Sequence, residues 1–376
     1  MNMERFSPET RETLKSLAVK LEKLRSNPEF QLSSRDHPDC CDLVFAGGGA
    51  KGVAHLGAIW AMEKLGIRFK RLAGNSAGAI TAAFMAAGYS SSEFIDELFN
   101  VDFKDFRDGF WDKRLPKFAL IATISTTFGL YEGDKLQRWL EESLVRKGAN
   151  TFGRLPRGEA GMLSRLEESD GHRLTVMASD ITHSCEVRLP DDLEKDRYGS
   201  IRIRSFPVSA AVRMSISVPF FFTPYKLHNS MIVDGAFASN LPLEIFDRED
   251  ADKVRWPTLG INLTSDPSPG HPTDDLFHFG LAIFDTMRYG QSRMSFMDYP
   301  TRISRIIDAP TREVKTLDFE IDQKKKEWLF VNGAKEVYMT LKGCGSRGLK
   351  HIWNFDRYIG LRRRWSFPLR GGDYEC

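Results

Sequence analysis

The chain has 376 residues, 41% hydrophobic and 28% charged, so it is long enough to bury a large core in one or two domains. Its 53 basic and 51 acidic residues leave a formal net charge of +2, which argues against nucleic acid as a partner. The sequence contains no apolar run of about 18 residues and does not begin with a signal-peptide pattern. We therefore expect a cytoplasmic protein that is at most peripheral to a membrane.

The five cysteines are odd in number and include the adjacent pair Cys40 and Cys41. They form no C-x-x-C motif, and no histidines cluster at metal-ligand spacing, so neither a disulfide framework nor a zinc site is expected. This pattern favours a reducing compartment. It gives no reason to expect a metal or another cofactor.

The first 38 residues are predicted to form a helical extension followed by a polar link. Ser7 can cap a helix over residues 7–27, whose leucines fall on one stripe, and Pro28 ends it. The stripe favours a helix packed on the body of the protein. A membrane or partner helix is the alternative.

Two strand–loop–helix units follow one another. Residues 43–46 form an apolar run before the glycine-rich loop 47–52, and apolar residues then recur at helical spacing. Residues 69–73 precede a second glycine-flanked turn and an alanine-rich helix. This repetition predicts an α/β protein with three layers, in which helices flank a mainly parallel central sheet. The predicted helices are 53–65, 79–87 and 134–145, and further strands are predicted at 174–178, 186–189, 231–233 and 259–263.

The loop 47–52 contains the G-x-G-x-x-G pattern of dinucleotide sites, but the second strand does not end in the acidic residue that such sites use. A phosphate-binding P-loop is excluded as well, because Val53 and Ala54 follow Gly52 where Lys and Ser or Thr are required. Glycine amides at a helix N-terminus can instead face developing negative charge. The loop therefore predicts an oxyanion hole, and a nucleotide-binding domain is a weaker alternative.

The pentapeptide Gly74-Asn75-Ser76-Ala77-Gly78 matches the G-x-S-x-G motif of nucleophilic serines. Its small residues allow a sharp turn from strand to helix that lifts the Ser76 hydroxyl above the sheet. The Ala77 amide would then face the carbonyl under attack. A simple packing turn is the alternative. Because both glycine loops follow neighbouring parallel strands, we expect them at the same edge of the sheet.

The general base is harder to identify. Only His271, His278 and His351 come late enough in the chain for an α/β-hydrolase triad, and none has a supporting local pattern. Asp234 is a better candidate, because an apolar strand delivers it into a turn of small residues. A plain Asp-Gly turn is the alternative.

These motifs occur in the order found in the patatin-like phospholipase family, which the chain resembles over residues 39–342. The loop 47–52 resembles the family's G-G-G-x-R/K-G loop, and the Ser76 pentapeptide resembles its nucleophile elbow. Asp234-Gly235-Ala236 resembles its D-G-G/A motif, and residues 211–222 resemble its Ala/Ser-rich block with a proline. The segment Ser239-Asn-Leu-Pro242 departs from the Asn-Asn-Pro that members often carry.

The resemblance implies ester hydrolysis by a Ser76–Asp234 dyad without histidine or metal. It also implies an oxyanion hole at Gly47, Gly48, Gly49 and Ala77, with motif support from Lys51, Gly52, Gly74, Gly78 and Gly235. Arg213 occupies a basic position of the 211–222 block, where it either supports the site or is structural. The expected substrate is a glycerophospholipid or lysophospholipid at a membrane surface, and neutral glycerides come next. A histidine-dependent esterase and a non-catalytic lipid-binding protein are the alternatives.

The resemblance divides the chain into the extension 1–38, a patatin-like catalytic domain 39–342 and a basic, aromatic tail 343–376. Within the tail, Arg362, Arg363, Arg364 and Trp365 combine cations with an aromatic ring, which predicts contact with anionic lipid. Packing of the tail on the catalytic domain is the alternative. Residues 111–128 are predicted to form an acyl-binding flap or to be buried in the core.

Overall fold

A computed structural model describes residues 3–109, 117–265, 270, 273–296, 300–312, 314–345 and 350–364; the side chains of residues 117–121 and 291–296 lie outside that description. The strands are β1 (Cys40–Phe45), β2 (Arg68–Asn75), β3 (Gly129–Tyr131), β4 (Leu174–Asp180), β5 (Cys185–Leu189), β6 (Phe220–Phe222), β7 (Tyr225–Leu227), β8 (Ser230–Asp234), β9 (Thr258–Thr264) and β10 (Ile306–Pro310). The α-helices are α1 (Pro8–Arg25), α2 (Val53–Lys64), α3 (Ala77–Ala86), α4 (Ser91–Phe99), α5 (Lys117–Thr127), α6 (Asp134–Arg146), α7 (Val208–Ser215), α8 (Leu276–Phe296), α9 (Pro300–Ile303), α10 (Gln323–Lys342) and α11 (Phe355–Arg364).

The central sheet has the strand order β10-β9-β1-β2-β4-β8-β7, and β5 pairs with β4 off this path. The strands from β10 to β4 are parallel to one another, whereas β5, β8 and β7 join antiparallel. A separate pair, β3 and β6, is parallel. With helices flanking the sheet, this architecture confirms the predicted fold class.

Every helix and strand predicted from the sequence is present, with ends within three residues of the predicted ones. The largest difference is at β1, which begins at Cys40 and so includes a buried aspartate. Asp42 accepts two hydrogen bonds from the Arg71 guanidinium, at 2.5 and 3.1 Å, and one from the Arg71 backbone. This long-range pair satisfies a charge that the sequence pattern placed outside the strand.

Helix α1 packs on the body of the protein, as its leucine stripe predicts. Leu14, Leu17, Leu21 and Leu24 are buried in the main hydrophobic core. Ser7 caps the helix by accepting a hydrogen bond from the Thr10 backbone.

The tail is also joined to this core through α11. Arg362 is buried, lies 3.2 Å from the Asp247 carboxylate and donates a hydrogen bond to the Arg248 carbonyl. Arg363 pairs with Asp252, and Arg364 is exposed. Trp365 lies outside the described residues. These contacts favour the alternative in which the tail packs on the catalytic domain, and its contact with anionic lipid stays a prediction.

The predicted flap at residues 111–128 is described only in part. Ile124, on α5, is buried, whereas Phe128 at the end of the helix is 51% exposed. The side chains of Trp111, Phe118, Leu120 and Ile121 lie outside the described residues, so the flap stays a prediction. Among the helices in the described part of the chain, none is both long and apolar enough to cross a bilayer.

Candidate active site

The glycine loop and the serine turn lie side by side at one edge of the sheet, as predicted. β1 and β2 are parallel neighbours, with Phe45 opposite Gly74. Gly49 has a φ of +56°, which favours glycine, and a Cβ at this position would overlap the Thr316 carbonyl. The next amide, of Ala50, donates to that carbonyl at 2.9 Å. The segment around Thr316 therefore holds the loop in place.

Ser76 sits on a strained turn between β2 and α3. Its φ of 52° and ψ of −123° place a non-glycine residue in a sparsely populated region, and α3 begins at the next residue. A Cβ at Gly78 would overlap the Phe45 carbonyl, and a Cβ at Gly74 would overlap the Gly78 carbonyl. The turn thus requires glycine on both sides of Ser76, which is the geometry of a nucleophile elbow.

The Asp234 carboxyl reaches the same level of the sheet from the far side of β4. Asn75 lies opposite Met177, and Asp234 lies opposite the next residue of β4, Ala178. Gly235 follows closely, since a Cβ there would lie 2.6 Å from the Met177 carbonyl oxygen. The strand β4 therefore brings the ends of β2 and β8 together.

Asp234 is fully buried, and burial is the main cause that raises its pKa to about 7. The Ala236 amide, which donates to Oδ1 at 2.9 Å, the Ser76 hydroxyl and Arg288 all act in the opposite direction and lower the pKa. Oδ2 is buried without an aligned hydrogen bond. A carboxyl in this state can gain or lose a proton near neutral pH, as a general base must.

The other predicted loop residues surround Ser76. A Cβ at Gly47 would lie 3.1 Å from the Ser76 Cβ, and a Cβ at Gly52 would lie 3.1 Å from the Ala77 Cβ. Within the described residues, no protein acceptor is hydrogen-bonded to the amides of Gly47, Gly48, Gly49 or Ala77. Amides of this kind are available to a substrate oxygen.

Lys51 is buried behind this loop. Its ammonium donates to the Ser265 hydroxyl at 2.6 Å, just beyond β9. Burial and the nearby Arg288 lower the Lys51 pKa to about 8, while Asp285 raises it. Lys51 therefore anchors the glycine loop to the end of β9.

One short segment at the end of α7 fixes both candidate catalytic residues. The Ser215 hydroxyl accepts a hydrogen bond from the Ser76 amide at 2.9 Å, and the Ser217 carbonyl accepts one from the Asp234 amide at 3.0 Å. Arg213 donates to the Ser217 hydroxyl at 2.6 Å and to the carbonyls of Glu132 and Thr223. Arg213 thus supports the segment that holds Ser76 and Asp234.

Sequence reasoning did not identify Ser215 and Ser217. Both fall in the block 211–222 that resembles the family, and that block was the only available signal. Their role depends on long-range contacts; Ser215, for example, contacts Ser76, which lies 139 positions earlier. No local pattern reveals such contacts.

Ser76 opens into an apolar cavity of about 730 Å³, a volume that includes the space open to solvent. The cavity wall includes side chains from α4, α6, the loop 216–222 and residues 316–319. Aromatic and aliphatic groups dominate, with Phe94, Phe103, Trp139, Phe222 and Phe319 among them. A cavity with this lining suits a hydrocarbon chain better than a polar ligand.

The histidines do not complete a triad with Ser76. Among the described residues, no histidine is hydrogen-bonded to Ser76 or lines its cavity. His55 is buried in α2, and burial lowers its pKa to about 3, so it is neutral. His278 contacts Asp275 at 2.8 Å, and His351 is exposed. His271 lies outside the described residues.

This chain is similar to a protein family and to several known proteins. The family model described as "Patatin-like phospholipase" matches residues 43–247. The uncharacterized protein YqhO of Bacillus subtilis is 35% identical over 307 residues, which span 80% of this chain and 98% of that protein. The NTE family protein Rv2565 of Mycobacterium tuberculosis is 28% identical over 203 residues, which span 54% of this chain and 27% of that protein. The crystal structure of VipD from Legionella pneumophila aligns with a TM-score of 0.48 at 18% identity, over 85% of this chain and 72% of that one.

Proposed function

Because the chain belongs to the patatin-like phospholipase family, we propose that it is a lipid acyl hydrolase that cleaves carboxylic esters through Ser76 and Asp234. The arrangement of groups around Ser76 carries this proposal. Ser76 stands on a strained elbow beside a buried carboxyl and beside amides that have no acceptor among the described residues, and it opens into an apolar cavity. These are the parts that acyl transfer to a serine requires.

In the first half of the proposed reaction, the Ser76 hydroxyl attacks the ester carbonyl while Asp234 accepts its proton. The carbonyl oxygen becomes an oxyanion, which the amides of Gly48, Gly49 and Ala77 stabilise; Gly47 completes this loop. Such donors contribute about 3 to 4 kcal/mol each where water is excluded. Collapse of the tetrahedral intermediate breaks the ester C–O bond, and protonated Asp234 returns the proton to the leaving alcohol.

The second half releases the fatty acid. A water molecule replaces the alcohol and loses a proton to Asp234 as it attacks the acyl-serine. The same amides stabilise the second oxyanion. Ser76 then recovers its proton from Asp234, and the dyad returns to its starting state.

The cavity supports a long acyl chain as the recognised part of the substrate. Its aliphatic and aromatic wall fits hydrocarbon, and burying methylene groups there is favourable by roughly 0.8 kcal/mol each. The family supports glycerophospholipids or lysophospholipids as the substrate class. Neutral glycerides present the same acyl chemistry and are the second candidate.

Analysis of lipid products tests this function directly. Protein incubated with a mixed bilayer of phospholipids and triacylglycerol, in excess EDTA, should release free fatty acid and lysophospholipid, because no step of the scheme uses a metal. Ser76→Ala should release neither. Mass spectrometry of the extracted lipids measures both products. Release of fatty acid from triacylglycerol alone would shift the assignment to the glyceride candidate, and no release from any lipid would contradict the proposal.

The pH dependence of hydrolysis should follow Asp234. Only the ionised carboxylate can accept the Ser76 proton, and its pKa is about 7. Hydrolysis of a soluble ester should therefore rise with pH and level off above about pH 8. At pH 6 the rate constant kcat/KM should be about tenfold below the plateau. A rate that is flat from pH 5 to 9 would show that Asp234 is not the base.

Ser215→Ala should slow turnover without removing any reacting group. The change leaves the Ser76 amide without its acceptor and loosens the strained elbow, so we expect kcat to fall about tenfold with little change in KM. Ser209→Ala is the matched control: Ser209 is buried on the same helix but bonds Glu141 at 2.7 Å. If both variants lose the same activity, Ser215 has only a general structural role.

A further inference from the structure

Helix α8 carries an exposed apolar stripe. Leu276, Phe279, Ile283 and Met287 recur every three or four residues, and each is between 41% and 51% exposed. We call these four residues the outer face of α8. Of the ten large hydrophobic side chains exposed in the described part of the chain, five lie on α8: these four and Tyr289. Among the described residues, exposed apolar side chains are therefore concentrated on this helix.

Among the described side chains of α8, none on the outer face is charged. The ionisable groups at the start and middle of the helix are paired: His278 lies 2.8 Å from Asp275, just before the helix, and Arg288 lies 3.2 Å from Asp285. A cluster of exposed apolar side chains on a helix that is packed against the core marks a surface that contacts a membrane or another protein.

The opposite side of α8 packs against the active site. Phe284 contacts Phe237, with ring centroids 5.3 Å apart, in the turn that follows Asp234. Phe284 also belongs to the same apolar cluster as Val218 and Phe222, and these two residues line the cavity at Ser76. The helix that carries the outer face therefore packs on the apolar cluster that forms part of the cavity wall.

Phe128 adjoins this region from the end of α5. Its carbonyl accepts a hydrogen bond from the Phe220 amide at 3.1 Å. The Phe220 ring in turn lies directly beneath Gly280 of α8. Phe128 and α8 therefore both contact the same strand, β6.

We propose that the outer face of α8, together with Phe128, seats the protein on the surface of a lipid bilayer. This inference rests on the proposed function, in which the acyl substrate resides in lipid. A lipid surface fits the patch because its four α8 residues are apolar and because α8 packs on the wall of the cavity that would take the acyl chain. Since no charge is involved, binding should require neither anionic lipid nor low salt.

Flotation with phosphatidylcholine vesicles tests this proposal, using Ser76→Ala protein so that the vesicles stay intact. Adding Phe279→Asp and Ile283→Asp should weaken vesicle binding at least ~10-fold, because two large apolar groups leave the interface and two charges replace them. The matched control carries Val19→Asp and Val145→Asp, which change equally exposed apolar residues on α1 and α6. It should bind vesicles like its parent, and raising the salt concentration should change binding little.

The same four substitutions, made in protein with an intact Ser76, distinguish a loss of vesicle binding from a loss of catalytic activity. Hydrolysis of a soluble short-chain ester should be unchanged in both pairs, whereas hydrolysis of vesicle lipid should fall only in the α8 pair. If the soluble ester is never cleaved, the proposed function fails whatever the vesicle binding. If the α8 pair binds and hydrolyses vesicles normally, the surface proposal fails while the proposed function stands.

Because the Phe279→Asp, Ile283→Asp variant could misfold, a conservative variant provides a second test. Ile283→Trp keeps the patch apolar, and its added fluorescence should be quenched by brominated acyl chains, whereas that of Val145→Trp should not. Absence of quenching at position 283 would overturn the proposal. So would a dimer in solution that the α8 pair dissociates while vesicle binding is unaffected, because the outer face would then cover a second copy of the chain.

Discussion

Ser76→Ala should reduce ester hydrolysis to the background rate, a loss of at least ~10⁴-fold. The substitution removes the only atom that can form the acyl-enzyme and leaves the elbow backbone in place. It should equally abolish labelling by a fluorophosphonate probe, while the thermal unfolding midpoint stays close to that of the parent. Hydrolysis of a chromogenic ester and gel fluorescence measure the two losses.

Ser230→Ala is the control for this prediction, because Ser230, unlike Ser76, contacts a histidine that also contacts a carboxylate. Both Ser230 and Asp180 contact the same ring nitrogen of His183, Nδ1, at 3.2 and 2.7 Å. The imidazole therefore cannot pass a proton from one to the other as in a triad. We expect full activity in this variant. Loss of labelling in Ser230→Ala, with labelling intact in Ser76→Ala, would show that Ser230 is the nucleophile and would contradict the prediction.

Asp234→Asn should reduce kcat at least ~10²-fold, which lies within the range that general-base catalysis supplies. The amide keeps the size of the carboxyl but cannot take the Ser76 proton. Stopped assays with a soluble ester measure the loss. His278→Ala and His351→Ala should retain near-normal turnover, since neither residue contacts Ser76. A normal rate in Asp234→Asn, or a large loss in either histidine variant, would favour the histidine-dependent esterase.

Measuring the stability of Asp234→Asn distinguishes a loss of catalytic activity from a loss of folded protein. Burial raises the Asp234 pKa from 3.8 to about 7, so the folded protein favours the protonated carboxyl. The parent should therefore lose stability as the pH rises from about 4 to about 7, because the folded state holds a proton that the unfolded state releases. Asparagine is neutral throughout. At pH 8 the variant should be at least as stable as the parent, although it is inactive.

The two glycine motifs were predictable from sequence because their geometry is local. A serine between Gly74 and Gly78 can turn sharply in any chain that leaves a strand for a helix, and the parallel pairing of β1 and β2 then places the Gly47–Gly49 loop beside it. Asp234 was predictable for a similar reason, since an apolar strand delivers it into a turn of small residues. The sequence also predicts the two strand–loop–helix units and several later strands, but not the long helices α8 and α10 or the edge strand β10.

Several features of the structure were not predicted from the sequence pattern. Those that support the site depend on contacts between residues distant in the chain. Ser215 and Ser217 are ordinary small residues until α7 carries them to Ser76 and Asp234. Arg362 has the pattern of a surface cation, yet Asp247, more than a hundred residues earlier, pairs with it in the core. The outer face of α8 was missed because no helix was predicted at Leu276–Phe296, and apolar residues at helical spacing do not distinguish a buried face from an exposed one.

The most direct measurement of the central claim is peptide mapping of the fluorophosphonate adduct. After labelling of the full chain and proteolysis, mass spectrometry should find the adduct on Ser76 and on no other serine. The rate of labelling should rise with pH through about 7, as Asp234 ionises. An adduct on a different serine, or no adduct in protein that still hydrolyses esters, would contradict the claim that Ser76 is the nucleophile.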